Sequence, residues 1–300
     1  MEYHRPVLLD ESIEGLKIQP SGVYVDATFG GGGHSKTILS RLDDKGHLFA
    51  FDQDEDARQN VWDDGRLTFV QCNFRYLAEY LHYYNVDAVH GILADLGVSS
   101  YQFDNPERGF SYRQDHHLDM RMNQSQRICA ADIVSRYPEE RLVTMFSKYG
   151  QVRNAKTLAA QICAARSVRK IDTVASFLEV ISPCVRGHRP KYLSQVFQSL
   201  RIEVNDEMGA LRQFLVAATD FLAPGGRLAI ISYHSGEDRL VKHWIRAGNA
   251  EGVVVKDDFG NPQGALSPVS RKPIVPAKEE IIENVRARSA KLRIAEKKNQ

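Results

Sequence analysis

The sequence predicts an α/β protein in which a Rossmann-like, doubly wound sheet is interrupted by an inserted all-helical domain. Short apolar segments alternate with amphipathic segments through the first hundred residues. Residues 106–205 then show helical patterns with no strong strand pattern, and a strand pattern returns after residue 220. An alternation of strands and helices is typical of a parallel sheet with helices on both faces.

Four segments in the first hundred residues have the pattern of strands. They read GVYVDATF, GHLFAFDQD, RLTFVQCNF and VHGILADLGVSS. Each is apolar on both faces, as expected for strands that helices cover on both sides. HSKTILSRL, EDARQNVWDDG and RYLAEYLHYYNV lie between them and have helical spacing. The first hundred residues are therefore predicted to form successive β-α-β units.

The rest of the chain is predicted to contain the helical insertion and the end of the sheet. AADIVSRYPEERLVTMFSKYG, NAKTLAAQICAARSV and DTVASFLEVISPCV are predicted helices of the insertion. The helical NDEMGALRQFLVAATDFL precedes the strand FLAPGGRLAIISYHS, GVVVKDD is predicted as a late strand, and RARSAKLRIAEKK as a basic end near the site or a solvated face. We therefore predict a core from residues 1–105 and 206–300 around an insertion at 106–205.

Composition and charge restrict the class of protein. The 300 residues are 43% hydrophobic and 26% charged, which is typical of a globular protein. We expect no membrane span and no secretory signal, since no long apolar stretch occurs and the first fifteen residues include acidic ones. Four scattered cysteines predict a reduced, cytoplasmic protein with neither a zinc site nor disulfides.

The positive charge is concentrated in the predicted insertion. Residues 106–205 contain 16 Lys and Arg against 9 Asp and Glu, whereas the remainder contains 23 against 29. A basic segment within an otherwise acidic chain is typical of a surface that binds a polyanion. In the same segment VRGHRPKY is predicted to contact phosphate, and His116, His117 and Asp119 are predicted to form a loop without a metal.

The glycine run in DATFGGGGHS joins a predicted strand to a predicted helix. Such a turn allows positive φ and lets a ligand approach the backbone at a helix N-terminus. A phosphate-binding P-loop would need Gly-Lys-Ser/Thr, but here Gly33 precedes His34 and Ser35. A dinucleotide fingerprint would need a third glycine at Ser35 or Lys36. Neither motif is present.

The acidic residues near this turn favour S-adenosylmethionine. Asp26 ends the first predicted strand and could serve the amino acid end of this cofactor, and Asp52 ends the second and could bind its ribose diol. Phe74, after the third strand, could cover an adenine face. Because Asp52 alone would suit NAD equally well, an NAD-dependent oxidoreductase stays open as an alternative.

The acceptor side is predicted at the end of the fourth strand, in ADLGVSSYQF. Asp95 would lie beside the methyl donor and could accept the N–H of an exocyclic amine, or could only cap a turn. Ser99 and Ser100 follow and could orient a base, while Tyr101 and Phe103 could stack on it or anchor a core. Methylation at carbon 5 of cytosine would need a thiolate, which no site loop provides.

A second polar group follows the later strand, in SYHSGEDR. His234, Ser235, Glu237 and Asp238 could reach the same crevice at the carboxyl edge of the sheet. Alternatively, Ser235 is the N-cap of a helix and the acidic residues occupy its first turn.

Taken together, eight blocks resemble the MraW family of bacterial small-subunit rRNA methyltransferases. They are HRPVLLDE, DATFGGGGHS, DLGVSS, ERGFSY, LDMRM, FQSLRIEVN, LAPGGRLAIISYHS with EDR and VK after it, and RARSAKLRIAEK, and they extend from about residue 4 to 297. The resemblance implies the fold of S-adenosylmethionine-dependent methyltransferases. It also implies methylation of the exocyclic N4 of a cytidine in 16S rRNA, with the assembled small subunit, and a second copy of the chain, as candidate partners. A catalytically silent RNA-binding module is the remaining alternative.

The resemblance also implies cofactor contacts and shows some departures. The family's contacts fall on Gly32, Gly33, His34, Asp52, Phe74, Asp95 and Gln102. For Asp95 the family pattern supports a donor contact more firmly than a role as amine acceptor. The chain departs from the family at four places: His116-His117 replaces Gly-Pro, Gln151-Val152 replaces an acidic pair, Ser194-Gln195-Val196 replaces Thr-Arg-Thr, and Gly236 replaces Leu.

Overall fold

The computed structural model describes residues 5–260 and 263–299, so His4 of the HRPVLLDE block and the predicted core termini lie outside the described residues. The chain divides into two compact units. The inserted unit is Val98–Glu207, and the sheet unit consists of the chain up to Gly97 and from Met208 onward. The predicted insertion at 106–205 falls within the inserted unit.

The sheet unit contains one sheet of seven strands in the order β3-β2-β1-β4-β5-β7-β6. The strands are β1 Val23–Asp26, β2 His47–Asp52, β3 Leu67–Gln71, β4 Val89–Asp95, β5 Leu222–Ser232, β6 Leu266–Pro268 and β7 Lys291–Lys297. The strands from β3 to β5 pair in parallel, whereas β7 is antiparallel to both β5 and β6. The predicted doubly wound sheet and its methyltransferase-type fold are confirmed.

The tail contains two late strands, but the position predicted for a late strand is wrong, and the basic end is not a solvated face. GVVVKDD is not a strand, since the late strand β6 comes after it. The basic segment RARSAKLRIAEKK contains β7, in which Leu292 and Ile294 are buried against the sheet. The lysines and arginines of β7 alternate with these apolar residues, so the basic composition concealed a half-buried strand.

Helices cover the sheet. In the sheet unit they are α1 Leu9–Leu16, α2 Gly33–Leu39, α3 Leu77–Tyr83, α10 Glu207–Phe221, α11 Ser235–Ala247 and α12 Lys278–Glu283, with α10 beginning at the last residue of the inserted unit. The predicted helix in EDARQNVWDDG is a short 3-10 turn, Glu55–Asn60, capped by the side chain of Asp54. None of the described helices is both long and apolar enough to cross a membrane.

Three parallel strands end on an aspartate each. Asp26, Asp52 and Asp95 are the last residues of β1, β2 and β4. The register places Asp26 beside Leu93 of β4, and Asp95 beside Ile231 of β5. Because parallel strands bring their carboxyl ends to one edge, the three carboxyl groups gather at the edge where doubly wound sheets bind ligands.

The inserted unit is helical. Its helices are α4 Ser100–Asp104, α5 Ala130–Arg136, α6 Glu139–Gly150, α7 Ala155–Arg166, α8 Val174–Ile181 and α9 Arg189–Val204. Leu118, Phe146, Phe177 and Leu200 belong to its own apolar core. Asn205 fixes the loop before α5, since its side chain accepts from the Met122 N–H at 2.8 Å and donates to the Met120 carbonyl at 2.8 Å.

Candidate cofactor site

The glycine run forms the turn from β1 into α2. Gly30 and Gly32 have positive φ, 51° and 75°. A Cβ on Gly32 would lie 2.8 Å from Trp62 Cζ3 and 2.9 Å from Phe29 Cζ, and one on Gly33 would overlap Pro6. The protein's own packing therefore requires glycine at 32 and 33, in addition to any approach by a ligand. Sequence patterns cannot predict this packing, because Trp62 and Pro6 lie in other segments of the chain.

Asp26 holds the base of this turn. Its carboxylate accepts hydrogen bonds from the Ser35 hydroxyl at 2.7 Å and from the Thr28 N–H at 3.1 Å. The side chain is fully buried, and burial raises its pKa, while the His34 imidazole and these hydrogen bonds oppose the rise. Asp26 thus ties the start of α2 to the end of β1.

Asp52 holds the other side of the turn. Oδ2 accepts from the Gly30 N–H at 2.7 Å, and Oδ1 accepts from the Asp54 N–H at 2.9 Å. Burial raises the pKa of Asp52 to about 6, with both hydrogen bonds lowering it and the charges of Asp54 and Asp26 adding to the rise. A carboxyl at the end of β2, the strand next to β1, can accept the hydroxyls of a ribose.

Asp95 is held by residues that follow the two neighbouring strands, β1 and β5. Its backbone N–H donates to Thr28 Oγ1 at 2.7 Å, and its Oδ1 accepts from the Tyr233 hydroxyl at 2.8 Å. Burial raises the pKa of Asp95 to about 6, while His34 and the hydrogen bond from Tyr233 lower it. Asp95 was predicted from its place at a strand end but Tyr233 was not, because the two residues lie far apart along the chain.

His34 adds a buried polar atom with no partner. The residue is 6% exposed, and its Nε2 has no hydrogen-bond partner among the described residues. Buried polar atoms are nearly always paired in folded proteins, so this ring nitrogen beside the glycine turn is suited to a hydrogen bond with a ligand. The resemblance assigns a cofactor contact to this residue.

The charges of the site favour a cationic ligand. Asp26, Asp52 and Asp95 have raised pKa values, and no Lys or Arg of the described residues pairs with any of them. A group of carboxyls with no paired Lys or Arg attracts a cation and repels a pyrophosphate. S-adenosylmethionine carries a sulfonium and an ammonium group, so the residues present fit this cofactor, and they fit NAD poorly.

Phe74 follows β3, as predicted. It is half-buried, and its ring packs edge-on against Phe214 of α10, with 5.1 Å between ring centroids. Asn73, just before it, donates to Gln53 Oε1 at 2.7 Å, which connects the loops after β2 and β3. A ring held by a neighbouring helix is a suitable wall for an adenine.

Ser99, Ser100 and Gln102 lie in the inserted unit, at the start of α4. Ser99 Oγ accepts from the Gln102 N–H at 3.1 Å, and Gln102 Oε1 accepts from the Ser99 N–H at 3.0 Å. This reciprocal pair is a capping box. The predicted catalytic role of Ser99 and Ser100, and the predicted cofactor contact of Gln102, stay predictions.

The segment after β5 caps a helix. The N-cap of α11 is His234, and the suggestion of Ser235 is wrong. His234 Nδ1 accepts from the N–H groups of Gly236 and Glu237, at 3.1 and 3.3 Å. Asp238 binds Arg293 and Lys291 of β7 at 2.8 and 3.2 Å. Serine is a common N-cap and histidine is not, so the sequence pattern predicted Ser235, one residue after the observed N-cap.

The departures from the family pattern fall on different kinds of position. Val152 and Val196 are buried in the core of the inserted unit, so these two changes alter its packing. Ser194 is exposed, and Gln151 ends α6 in the left-handed region with φ 54°.

The remaining two departures are local. Asp119, next to His116-His117, forms a bidentate ion pair with Arg121, at 2.8 and 2.7 Å. A Cβ on Gly236 would lie 3.0 Å from His234 Nδ1, so a larger residue would crowd the cap of α11.

Comparisons with known proteins assign the chain to a family. Residues 1–298 match the sequence profile of the MraW methylase family. A relative named ribosomal RNA small subunit methyltransferase H, from Phocaeicola vulgatus, is 57% identical over 297 residues, which cover 99% of this chain and 98% of the relative. A relative of the same name from Bacteroides fragilis is 56% identical over 297 residues, with the same coverage.

Among solved structures, an rRNA methylase from Streptococcus thermophilus covers 100% of this chain and 99% of its own, with 13% identity and a TM-score of 0.40. That likeness is too distant to add to the family assignment.

Proposed function

Because this chain belongs to the MraW methylase family, we propose that it transfers a methyl group from S-adenosylmethionine to the exocyclic N4 of a cytidine in small-subunit rRNA. The relatives' names give the class of substrate, and the family resemblance of the sequence supports the cytidine N4 atom. The observation that carries the proposal is the set of three carboxyls, Asp26 buried and Asp52 and Asp95 half-buried, with the unpaired His34 nitrogen at the glycine turn.

The sheet unit supplies most of the proposed cofactor contacts. Gly32 and Gly33 form the turn, the unpaired His34 nitrogen would contact the cofactor, Asp52 would accept the ribose hydroxyls, and Phe74 would cover the adenine. Bound S-adenosylmethionine supplies an electrophilic methyl group. A direct displacement needs no protein nucleophile, which agrees with the position of Cys72 just beyond β3, where burial raises its thiol pKa and keeps it protonated.

The chain's own residues must position the amine and take up a proton. The exocyclic nitrogen gains a methyl group and loses one N–H proton, and the Asp95 carboxylate is the proposed acceptor, from which the proton passes to solvent. Ser99 and Ser100 are proposed to orient the base and Gln102 to contact the cofactor, on the family pattern alone. A flipped or single-stranded cytosine would expose N4 for this reaction.

The basic inserted unit is the proposed RNA-binding part. Arg186, Arg189 and Lys191 are exposed before and at the start of α9. Exposed cations in a segment of net positive charge contribute phosphate contacts. An rRNA substrate also supports the cytoplasm as the proposed location, with the assembled small subunit as the partner.

The test uses small subunits from cells that lack this chain. We expect the purified protein to methylate them, and mass mapping of the rRNA to find one N4-methylated cytidine. The variant Asp95→Ala should show no transfer, because the amine loses its acceptor and the cofactor loses a contact. Full activity of this variant would overturn the assignment. Binding of rRNA without any turnover by the wild type would instead identify a silent RNA-binding module.

Calorimetry separates the cofactor alternatives. We expect binding of S-adenosylmethionine and of its demethylated product, and no binding of NAD. Binding of NAD alone would favour an oxidoreductase.

A further inference from the structure

Tyr233 is fixed at the end of β5. The Ile231 carbonyl, two residues earlier, accepts from the Leu96 N–H at 3.0 Å, which aligns the ends of β4 and β5. The Tyr233 N–H donates to Glu237 Oε2 at 2.8 Å, and its ring packs against the apolar core of the sheet unit. The position of the phenol is therefore set by the sheet and by the first turn of α11.

The phenol hydroxyl uses one oxygen of Asp95. It donates to Oδ1 at 2.8 Å, and the backbone of Asp95 is tied to Thr28 on the other side. Oδ2 accepts no hydrogen bond from the described residues. One carboxylate oxygen is thus occupied by the protein and the other is available to a ligand.

We propose that Tyr233 is a positioning residue for the methyl transfer: by occupying Oδ1 of Asp95 it orients the carboxylate and leaves Oδ2 to accept a ligand hydrogen. The inference rests on the proposed function, because it names a residue that acts on ligand through Asp95. Tyr233 itself needs no contact with cofactor or base.

The charges around Tyr233 and Asp95 determine which of the two groups keeps its proton. Asp95 faces His34 from α2, Asp26 from β1 and Glu237 from α11. Burial and the neighbouring Asp95 raise the pKa of Tyr233 well above its ordinary value, so the phenol stays protonated and remains the donor. A hydrogen bond to the ionised form keeps the Asp95 carboxylate charged at lower pH than it would be alone.

The variant Tyr233→Phe removes only the hydroxyl. In the ligand-free protein, a ¹³C NMR titration of the Asp95 carboxyl should move from a midpoint of about 6 in the wild type to a midpoint roughly one pH unit higher. The ionised fraction of Asp95 would then be about fivefold lower than in the wild type at pH 6 and nearly equal to it at pH 8.5. The rate of methyl transfer to small subunits should therefore fall about fivefold at pH 6 and approach the wild-type rate at pH 8.5.

Tyr24→Phe is the matched control. Tyr24 is also buried in the sheet unit, and its hydroxyl accepts one hydrogen bond, from the Gln19 N–H at 2.7 Å. This variant should leave the Asp95 midpoint and the pH profile of transfer unchanged, even where it lowers stability.

Two results would overturn the inference: an unchanged Asp95 midpoint in Tyr233→Phe, or a loss of activity that is equal at every pH. Failure of the proposed function is a separate outcome. If wild-type protein methylates no rRNA, the NMR titration still decides whether Tyr233 controls Asp95.

Discussion

Two aspartates of the sheet unit lower its stability at neutral pH, because their pKa values are raised in the folded chain. Asp95 and Asp52 both have a pKa of about 6, chiefly because they are buried. An exposed aspartate has a pKa of about 3.9, so the folded chain binds protons that the unfolded chain releases. Stability contributed by these groups is therefore lost as the pH rises from about 4 to about 6.

The variant Asp95→Asn tests how much the Asp95 charge destabilises the folded chain. Asn retains an Oδ1 acceptor for Tyr233 and removes the charge. We expect the free energy of unfolding to rise by about 1–3 kcal/mol at pH 7.5, since each pKa unit corresponds to about 1.4 kcal/mol. At pH 4.5, where Asp95 is mostly neutral in the folded chain but mostly ionised in the unfolded chain, the gain should be smaller, about 1 kcal/mol. Urea denaturation at both pH values measures the difference, and an equal effect at both would contradict a buried charge as its cause.

At the scale of elements, the turn from β1 to α2 depends on other segments of the chain. Gly32 combines a positive φ with close contact to Trp62 and Phe29. The turn is therefore shaped by the protein's aromatic packing as much as by the ligand it is proposed to hold.

The variant Gly32→Ala should disturb that turn. A Cβ at this position is strained by the backbone and crowded by two rings, so we expect a loss of about 1–3 kcal/mol in unfolding free energy. Affinity for S-adenosylmethionine, measured by calorimetry, should fall as well. Gly65→Ala is the control, because no atom lies within 4 Å of its Cβ position and its φ is not positive. Equal stability of the two variants would show that the turn tolerates a side chain.

Sequence patterns predicted the elements whose signals are local. β1 to β5 and most helices follow from apolar periodicity, and Asp26, Asp52 and Asp95 follow from their place at strand ends. β7 was missed because its charged residues alternate with buried ones, and such a strand resembles a solvated basic tail.

The contacts that complete the site depend on residues distant in sequence. The partners of Gly32 and the hydrogen bond between Tyr233 and Asp95 join segments that only the sheet order brings together. No spacing rule along the chain can predict them.

For the whole molecule, the separation of charge between the units is the property most relevant to RNA. A binding surface that neutralises phosphates releases counterions, so its affinity falls steeply with salt. Replacement of Arg186, Arg189 and Lys191 together by alanine should weaken binding to small subunits. The slope of log affinity against log salt should become shallower by about 2–3, at roughly one per phosphate contact.

The control replaces three exposed cations of the sheet unit, Arg41, Lys45 and Lys242, by alanine. Filter binding across a salt series compares the variants. A similar change of slope in both would mean that the RNA surface is not concentrated in the inserted unit.

The position of β7 in the sheet has a consequence for synthesis on the ribosome. β7 lies between β5 and β6, yet it is the last strand to be translated. The inserted unit is complete in sequence well before β7 is made, and domains generally fold as units while the chain grows. The helical unit can therefore reach its folded state first, before β7 has been synthesised and can pair with β5. During that interval, β5 exposes an unpaired edge that must be protected from association with other nascent chains.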